Sequence, residues 1–263
     1  MHYERYETEI SERYLEKIIR TYPDLVLLGG WAVYLHVNNN FKKARGRNYS
    51  GSRDIDLGFH IDLTWNKDQL KDSPFSKMSR HLEGEGFEWQ GSRLFKNYHT
   101  ETEKELTLEE SKKLFSPSIF PLYIDPIVDT IHPQFTSTFG FVPIDEPLLR
   151  HAFENKILRK NKKVFKTEVI LPSPALLIAT KLNSLPKRDK DHKRIKDISD
   201  LFALLFYTDE TTSSLKDILF TFYEKTKAKS VIESISDEDM TSVARVLGFD
   251  FIEIKTVLME LTK

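Results

Sequence analysis

The stretch of chain between Leu25 and Leu57 constrains the fold more than any other. It opens with the apolar run Leu-Val-Leu-Leu, whose length and composition are typical of a buried strand. Gly29 and Gly30 end the run and predict a turn whose backbone can approach a phosphate group closely. Residues 31–37 then carry a pattern that a short helix can use. The sequence therefore predicts a strand, a glycine turn and a helix in close succession.

Two aspartates close this stretch. Asp54 and Asp56 flank Ile55 in a predicted strand over residues 54–59. Because side chains alternate along a strand, the two carboxylates point to the same face. Like charges this close are tolerated when a cation lies between them, and Mg²⁺ commonly binds one or two carboxylates together with substrate phosphates. The residues therefore predict a site for Mg²⁺ (or Mn²⁺) beside a phosphate-binding turn.

The Gly-Gly-Trp-Ala segment that begins at Gly29, followed by Ser52-x-Asp54-Ile-Asp56, resembles the nucleotidyltransferase superfamily with the polymerase-beta-like fold. This resemblance implies an α/β (α+β) fold, with a mixed twisted sheet flanked by helices and a helical C-terminal domain. It implies that Asp54 and Asp56 are catalytic metal ligands. It also implies that Gly29, Gly30 and Ser52 bind the nucleoside triphosphate.

The spacing of the two motifs is wider than the family's usual spacing, because residues 31–53 separate them. We expect a long loop over residues 38–50 to absorb the difference. This loop would bring four basic residues near the site, namely Lys42, Lys43, Arg45 and Arg47.

A third carboxylate is expected from the run Ile119 to Ile131, which is apolar at almost every position and predicts a strand covered on both faces. A carboxylate in such surroundings is costly unless it is paired or metal-bound. Superfamily members use a third carboxylate from a neighbouring strand, and Asp125 resembles that position best. Asp129 lies on the same face by parity and is the alternative. The structural alternative for Asp125 is a capping or turn aspartate, which the following Pro126 favours.

A second set of motifs lies in the C-terminal part. Lys181-Leu182, followed by Lys196-Asp197-Ile-Ser-Asp200-Leu201, resembles AbiE-type toxin nucleotidyltransferases of type IV toxin–antitoxin systems. The resemblance implies that Lys181 contacts the nucleotide and that Asp197 and Asp200, on one helix face, line the cleft. The structural alternatives are a lysine whose head reaches the surface and acidic residues that favour a helix N-terminus.

Charge is distributed unevenly. The formal net charge is −1, yet residues 156–196 hold 13 Lys or Arg and three acidic residues, Glu168, Asp189 and Asp191. Such an excess indicates a polyanionic partner, with an ordinary basic surface as the alternative. The AbiE-type resemblance implies an RNA acceptor, tRNA first, and an antitoxin protein as a further partner.

The helical periodicity that begins after Pro174 predicts two domains, a catalytic domain over residues 1–172 and a helical domain over 173–263. Cysteine is absent, which excludes disulfides and cysteine-ligated metal centres. The sequence has no apolar signal core and no run of transmembrane length, so we expect a cytoplasmic protein without a membrane partner.

Together these features predict a Mg²⁺-dependent enzyme that transfers a nucleotide from a nucleoside triphosphate to an acceptor hydroxyl. A non-catalytic module that binds a nucleotide or a partner is the main alternative. Transfer to a protein or to a small molecule such as an antibiotic is another, as is a metal-dependent phosphate hydrolase, because function depends on sites rather than on folds.

Overall fold

The computed structural model describes residues 5–22 and 25–263. The predicted end of the first helix at Pro23 lies outside these residues. The chain divides into two compact units. The sheet unit comprises Gly51–Leu171 and the described residues up to Trp31, and the helical unit comprises Ala32–Ser50 and Pro172–Lys263. The sequence assigned residues 1–172 to one domain, whereas residues 32–50 group here with the C-terminal part of the chain.

In the described part of the chain, the sheet unit contains nine strands and helices of 4 to 17 residues. The strands are β1 (Val26–Leu27), β2 (Ile55–Phe59), β3 (Glu88–Gln90), β4 (Arg93–His99), β5 (Glu105–Leu106), β6 (Ile119–Val128), β7 (Ile144–Asp145), β8 (Arg159–Val164) and β9 (Thr167–Pro172). The helices are α1 (Arg5–Thr21), the start of α2 (Gly29–Arg45), α3 (Lys67–Lys71), α4 (Pro74–Gly84), α5 (Leu108–Ser111), α6 (Phe135–Phe139) and α7 (Arg150–Glu154).

The strands form one mixed sheet in the order β3-β4-β6-β2-β1-β9-β8, with β5 paired to β4 and β7 paired to β6. Strand β2 runs parallel to β6, and β1 runs parallel to β9, whereas the β1–β2 and β4–β6 pairs are antiparallel. The expected mixed sheet flanked by helices is therefore confirmed.

The two faces of the sheet differ. One face is buried beneath helices, since Tyr6 of α1 meets Phe120 at a ring distance of 6.0 Å and Phe75 of α4 meets Phe59 at 5.6 Å. On the opposite face, the alternate residues of β6 are mostly half-exposed. The strand was expected to be covered on both faces, and the structure corrects this, because on the second face only Asp125 is buried and the other side chains are half-exposed. The aspartates lie on the more open face.

The helical unit contains the remaining helices, α8 (Pro174–Ser184), α9 (Asp191–Tyr207), α10 (Thr212–Leu219), α11 (Lys225–Glu233), α12 (Asp237–Leu247) and α13 (Phe251–Met259). Ser173 caps α8 by accepting a hydrogen bond from Leu176 N, with Pro174 as the first helical residue, as predicted. Gly248, at φ 74°, ends α12 in the left-handed conformation that favours glycine. No described helix of either unit is long and apolar enough to cross a membrane.

Helix α2 is longer than expected. Gly29 and Gly30 are its first two residues rather than a separate turn, and residues 38–45 continue the helix rather than forming a loop. Within the helical unit, buried Val37 and Phe41 are one helical turn apart, so packing stabilises a segment whose asparagines favour helix poorly.

Of the basic residues expected in the loop, Lys42, Lys43 and Arg45 lie in the last turns of α2, and Arg47 lies just beyond the helix. Arg47 donates a 2.9 Å hydrogen bond to the carbonyl of Leu247, and Arg45 donates to the carbonyl of Gly248. Both guanidinium groups therefore satisfy carbonyls at the C-terminal end of α12, where positive charge is favourable.

Candidate active site

Three aspartates share the open face of the sheet. Strand β2 pairs with β6 in parallel, and this register places Asp56 directly beside Asp125. Asp54 immediately precedes β2 and has the same parity as Asp56, so its side chain points to the same face. The structure therefore brings the Asp54 and Asp56 pair together with Asp125, and the sequence prediction of a metal site depends on these three residues.

The first residue of α2 lies against this set. Gly29 has φ +60°, and a Cβ atom added to it would lie 1.7 Å from Asp56 Oδ2. The adjacent Leu28 N donates a 2.9 Å hydrogen bond to the carbonyl of Asp56. Only glycine permits this close approach. The N-terminal end of a 17-residue helix, where backbone N–H groups lack helical partners, consequently lies beside the carboxylates.

Arg93 of β4 joins two of the three aspartates. Its Nε and Nη2 atoms lie 2.5 and 2.9 Å from the two carboxylate oxygens of Asp125, and Nη2 also lies 3.1 Å from Asp54 Oδ2. The guanidinium lies 4.0 Å from the ring centre of Tyr123, within the range of a cation–π contact. Burial opposes its charge, but Asp125 and Asp54 outweigh this effect and raise the pKa of Arg93. The site thus contains a fixed positive charge.

Sequence reasoning missed both Arg93 and the strand that carries it. On one face of β4, Leu94 and Tyr98 are buried, but Lys96 lies between them and interrupts the apolar alternation. A usable signal was the pair Gly91-Ser92, since two residues of this kind between strand-like segments predict a hairpin. Gly91 indeed has φ +65° in the turn between β3 and β4.

Asp125 and Asp129 occupy different surroundings. Asp129 is buried, accepts a 2.9 Å hydrogen bond from Ile61 N and lies 2.5 Å from His60 Nδ1. Asp125 lies beside Asp56 and pairs with Arg93. Of the two candidates for the third carboxylate, Asp125 is therefore the one that the structure places with Asp54 and Asp56.

The residues fit a divalent cation in their chemistry and register. Carboxylate oxygens are the ligands that Mg²⁺ prefers, and Asp56 and Asp125 stand on adjacent strands next to the Gly29 backbone. In the described part of the chain, no three acidic, His or Cys side chains are grouped as a metal site. Arg93 holds Asp54 and Asp125 in ion pairs.

Gly30 and Ser52 are the remaining predicted nucleotide-binding residues of this motif. Gly30 is buried in the first turn of α2, and Ser52 is buried just before Asp54. Their participation in nucleotide binding stays a prediction.

Lys181, Asp197 and Asp200 meet in the helical unit. Lys181 Nζ lies 2.6 Å from Asp197 Oδ1 and 2.7 Å from Asp200 Oδ2. Both contacts are close ion pairs between buried groups. Lys196 also pairs with Asp200, which accepts a 2.8 Å hydrogen bond from the Tyr49 hydroxyl. We call these five side chains the buried ion network.

The buried ion network differs from both structural alternatives derived from the sequence. Lys181 is only 8% exposed, so its head does not reach the surface. Helix α9 begins at Asp191, so Asp197 and Asp200 lie beyond its first turn, where the favourable effect of a helix N-terminus has faded. These residues contact one another, and nucleotide binding by them stays a prediction.

Within the buried ion network, Lys181 and Asp197 each favour the charged form of the other. Burial disfavours charge on Lys181 and on Asp197, yet the opposite charges around them prevail. The pKa of Lys181 is therefore raised and that of Asp197 is lowered, with Arg188 contributing to the latter. Lys196 behaves differently, because burial dominates and lowers the pKa of Lys196 despite the nearby Asp200.

The basic residues of the stretch 156–196 lie in two different settings, some in ion pairs of the helical unit and some around the β8–β9 connection. Lys181 and Lys196 belong to the buried ion network, and Arg188 and Arg194 pair with Asp197 and Asp239. Residues 156–168, here called the basic hairpin, contain six Lys or Arg and one Glu around the β8–β9 connection. Strand β8 lies at an edge of the sheet. Lysine on an edge strand also discourages pairing with other chains, which is the structural reason for such a composition.

Comparison with known proteins finds similarity among solved structures. No protein-family model and no curated protein matches this chain. Among solved structures, the chain is similar to an antigenic nucleotidyltransferase-like protein from Paracoccidioides brasiliensis, with 15% sequence identity and a TM-score of 0.41. The alignment covers 87% of this chain and 92% of that chain. A similarity of this degree says nothing about individual residues, so the chemistry of the site depends on the contacts described above.

Proposed function

We propose that the protein is a metal-dependent nucleotidyltransferase that moves a nucleoside monophosphate from a nucleoside triphosphate to an acceptor hydroxyl. One observation carries this proposal. Asp54, Asp56 and Asp125 lie on one open sheet face, beside a helix N-terminus whose first residue must be glycine. Carboxylates for a cation and backbone N–H groups for phosphate are two elements that phosphoryl-transfer sites commonly use.

Each group has a distinct task in this proposal. Asp54, Asp56 and Asp125 would form the carboxylate site for Mg²⁺ (or Mn²⁺), which when bound supplies positive charge to the phosphates and lowers the pKa of an acceptor hydroxyl. The backbone at Gly29 and Gly30 would bind the triphosphate, together with the hydroxyl of Ser52. Positioning and electrostatics then provide most of the acceleration, as in phosphoryl transfer generally.

The test is incubation of the protein with each labelled nucleoside triphosphate, Mg²⁺ and total RNA, followed by separation of the products. We expect label in an acceptor with the natural chain and none with Asp54→Ala or Asp56→Asn. Asp72→Asn is the matched control, because its carboxylate is exposed and pairs only with surface Lys77 in the described contacts. Transfer by Asp56→Asn at the rate of the control would contradict the proposal.

RNA is the acceptor class that we propose. The basic hairpin concentrates six positive charges against one negative charge on a single supersecondary element. Such a concentration favours a polyanion. Label in a tRNA-sized band would support RNA as the acceptor. Label in protein or in a small molecule would show that the acceptor belongs to that class instead. The roles of toxin and of a partner antitoxin rest on the resemblance alone and stay predictions.

A non-catalytic binding module is the second candidate, and the Arg93 contacts favour it. A guanidinium that pairs with Asp125 and Asp54 could replace the metal altogether and leave a site that binds without chemistry. Nucleotide binding without pyrophosphate release, for every acceptor offered, would select this candidate. Turnover of the nucleotide without any acceptor would instead indicate a hydrolase.

A further inference from the structure

Arg93 is placed as a permanent component of the carboxylate site. It is fixed from three directions, by both oxygens of Asp125, by one oxygen of Asp54 and by the ring of Tyr123. The Tyr123 hydroxyl is itself anchored by a 3.0 Å hydrogen bond to Gln90 Oε1. A metal ion that displaced Arg93 would have to break the paired hydrogen bonds and the cation–π contact together.

The hydrogen bonds of Asp125 indicate what Arg93 does there. Both oxygens of Asp125 accept hydrogen bonds from Arg93, whereas Asp54 contributes only Oδ2 to this pairing. A second divalent cation that used Asp125 as a ligand would therefore compete with Arg93 for the same oxygens.

We propose that Arg93 takes the place of one of two divalent cations, so that the site binds a single ion through Asp56 and Asp54. The inference rests on the proposed function, because it specifies how many divalent cations that same site binds. Asp125 then acts as a positioning residue that orients Arg93, and Arg93 supplies a fixed positive charge next to the ion.

The experiment counts bound ions. Mn²⁺ alone is titrated into the full chain, and the free ion is followed by electron paramagnetic resonance. We expect about one bound ion for the natural chain and for Arg93→Lys, which keeps the charge, and about two for Arg93→Gln. Asp56→Asn should weaken the single ion by at least about tenfold, since it removes a charged ligand. Arg20→Gln, which alters an exposed arginine paired with Glu16, is the matched control and should bind as the natural chain does.

Two bound ions in the natural chain would overturn the inference, whatever the variants do. One bound ion in both the natural chain and folded Arg93→Gln would overturn it as well. Circular dichroism melts establish whether Arg93→Gln is folded, and the count on the natural chain remains decisive if it is not. Failure of the proposed function is recognised separately, as absence of nucleotide transfer to any acceptor together with absence of Mn²⁺ binding in every variant.

Discussion

At the scale of single residues, Gly29 and Asp56 depend on each other. Gly29 adopts a left-handed conformation, and the space that its side chain would occupy is filled by the carboxylate of Asp56. The carboxylate of Asp56 therefore lies against the backbone at the N-terminus of α2, where a negative charge is favourable. The Gly-Gly motif and the Asp-x-Asp motif are therefore in direct contact and depend on each other.

Gly29→Ala should consequently abolish nucleotide transfer and Mn²⁺ binding. The new Cβ would collide with Asp56 Oδ2, in addition to the strain of a positive φ, which costs about 1–2 kcal/mol. Gly46→Ala is the control, because Gly46 has φ +69° and a Cβ there meets no described atom within 4 Å. Transfer rates and urea midpoints of both variants provide the comparison. Equal activity of the two variants would show that Asp56 tolerates displacement.

At the scale of elements, α8 and α9 are joined by charge as well as by apolar packing. Lys181 projects from α8 onto Asp197 and Asp200 of α9, and none of the three is more than 8% exposed. Breaking a buried pair is costly because an uncompensated charge remains in the interior. The network therefore fixes how these two helices meet within the helical unit.

Lys181→Met should lower the free energy of unfolding by about 3–5 kcal/mol, because it leaves two buried aspartates with less compensation. Lys196→Met should lower it less, since burial already disfavours the charge of Lys196 and lowers its pKa. Urea denaturation at neutral pH measures both values. A larger loss for Lys196→Met than for Lys181→Met would contradict this account of the network.

The pH dependence of stability follows from the same pairs. The pKa of Asp197 is lowered in the folded protein, so its contribution is present above the ordinary value of about 4 and is lost as pH falls through the folded value. The pKa of Lys181 is raised, so its contribution is present below about 10.4 and is lost as pH rises through the folded value. The stability difference between the natural chain and Asp197→Asn should therefore be largest near neutral pH and should shrink below about pH 4. A difference that is constant from pH 7 to pH 3 would contradict it.

Elements with local signals were predictable from the sequence, and contacts between distant strands were not. Ser173 and Pro174 indicated the start of α8, and the alternation around Asp56 indicated β2. The Arg93–Asp125 pair joins residues 32 positions apart and depends on the register of β4 against β6, which no local pattern contains. Helix α2 was underestimated for a related reason, because burial of Phe41 outweighs the poor helix propensity of three asparagines.

At the scale of the whole molecule, a net charge of −1 conceals strong local differences. The acidic site is partly neutralised by Arg93, and the buried ion network removes two lysines from any role at the surface. The basic hairpin retains exposed lysines at positions 156, 163 and 166. An RNA acceptor would therefore be attracted chiefly through this hairpin, and its affinity would depend on salt.

Replacing Lys156, Lys163 and Lys166 together by Gln should weaken RNA binding and reduce its salt dependence. The logarithm of the association constant should fall less steeply with the logarithm of salt concentration, by about 0.7–0.9 for each lost phosphate contact. Fluorescence anisotropy of a labelled tRNA at several salt concentrations measures this slope. The matched control replaces Lys67, Lys71 and Lys113, which are also exposed in the sheet unit and change the net charge equally. If both triple variants lower the slope alike, overall charge rather than the basic hairpin attracts the RNA, and the proposed acceptor surface is wrong.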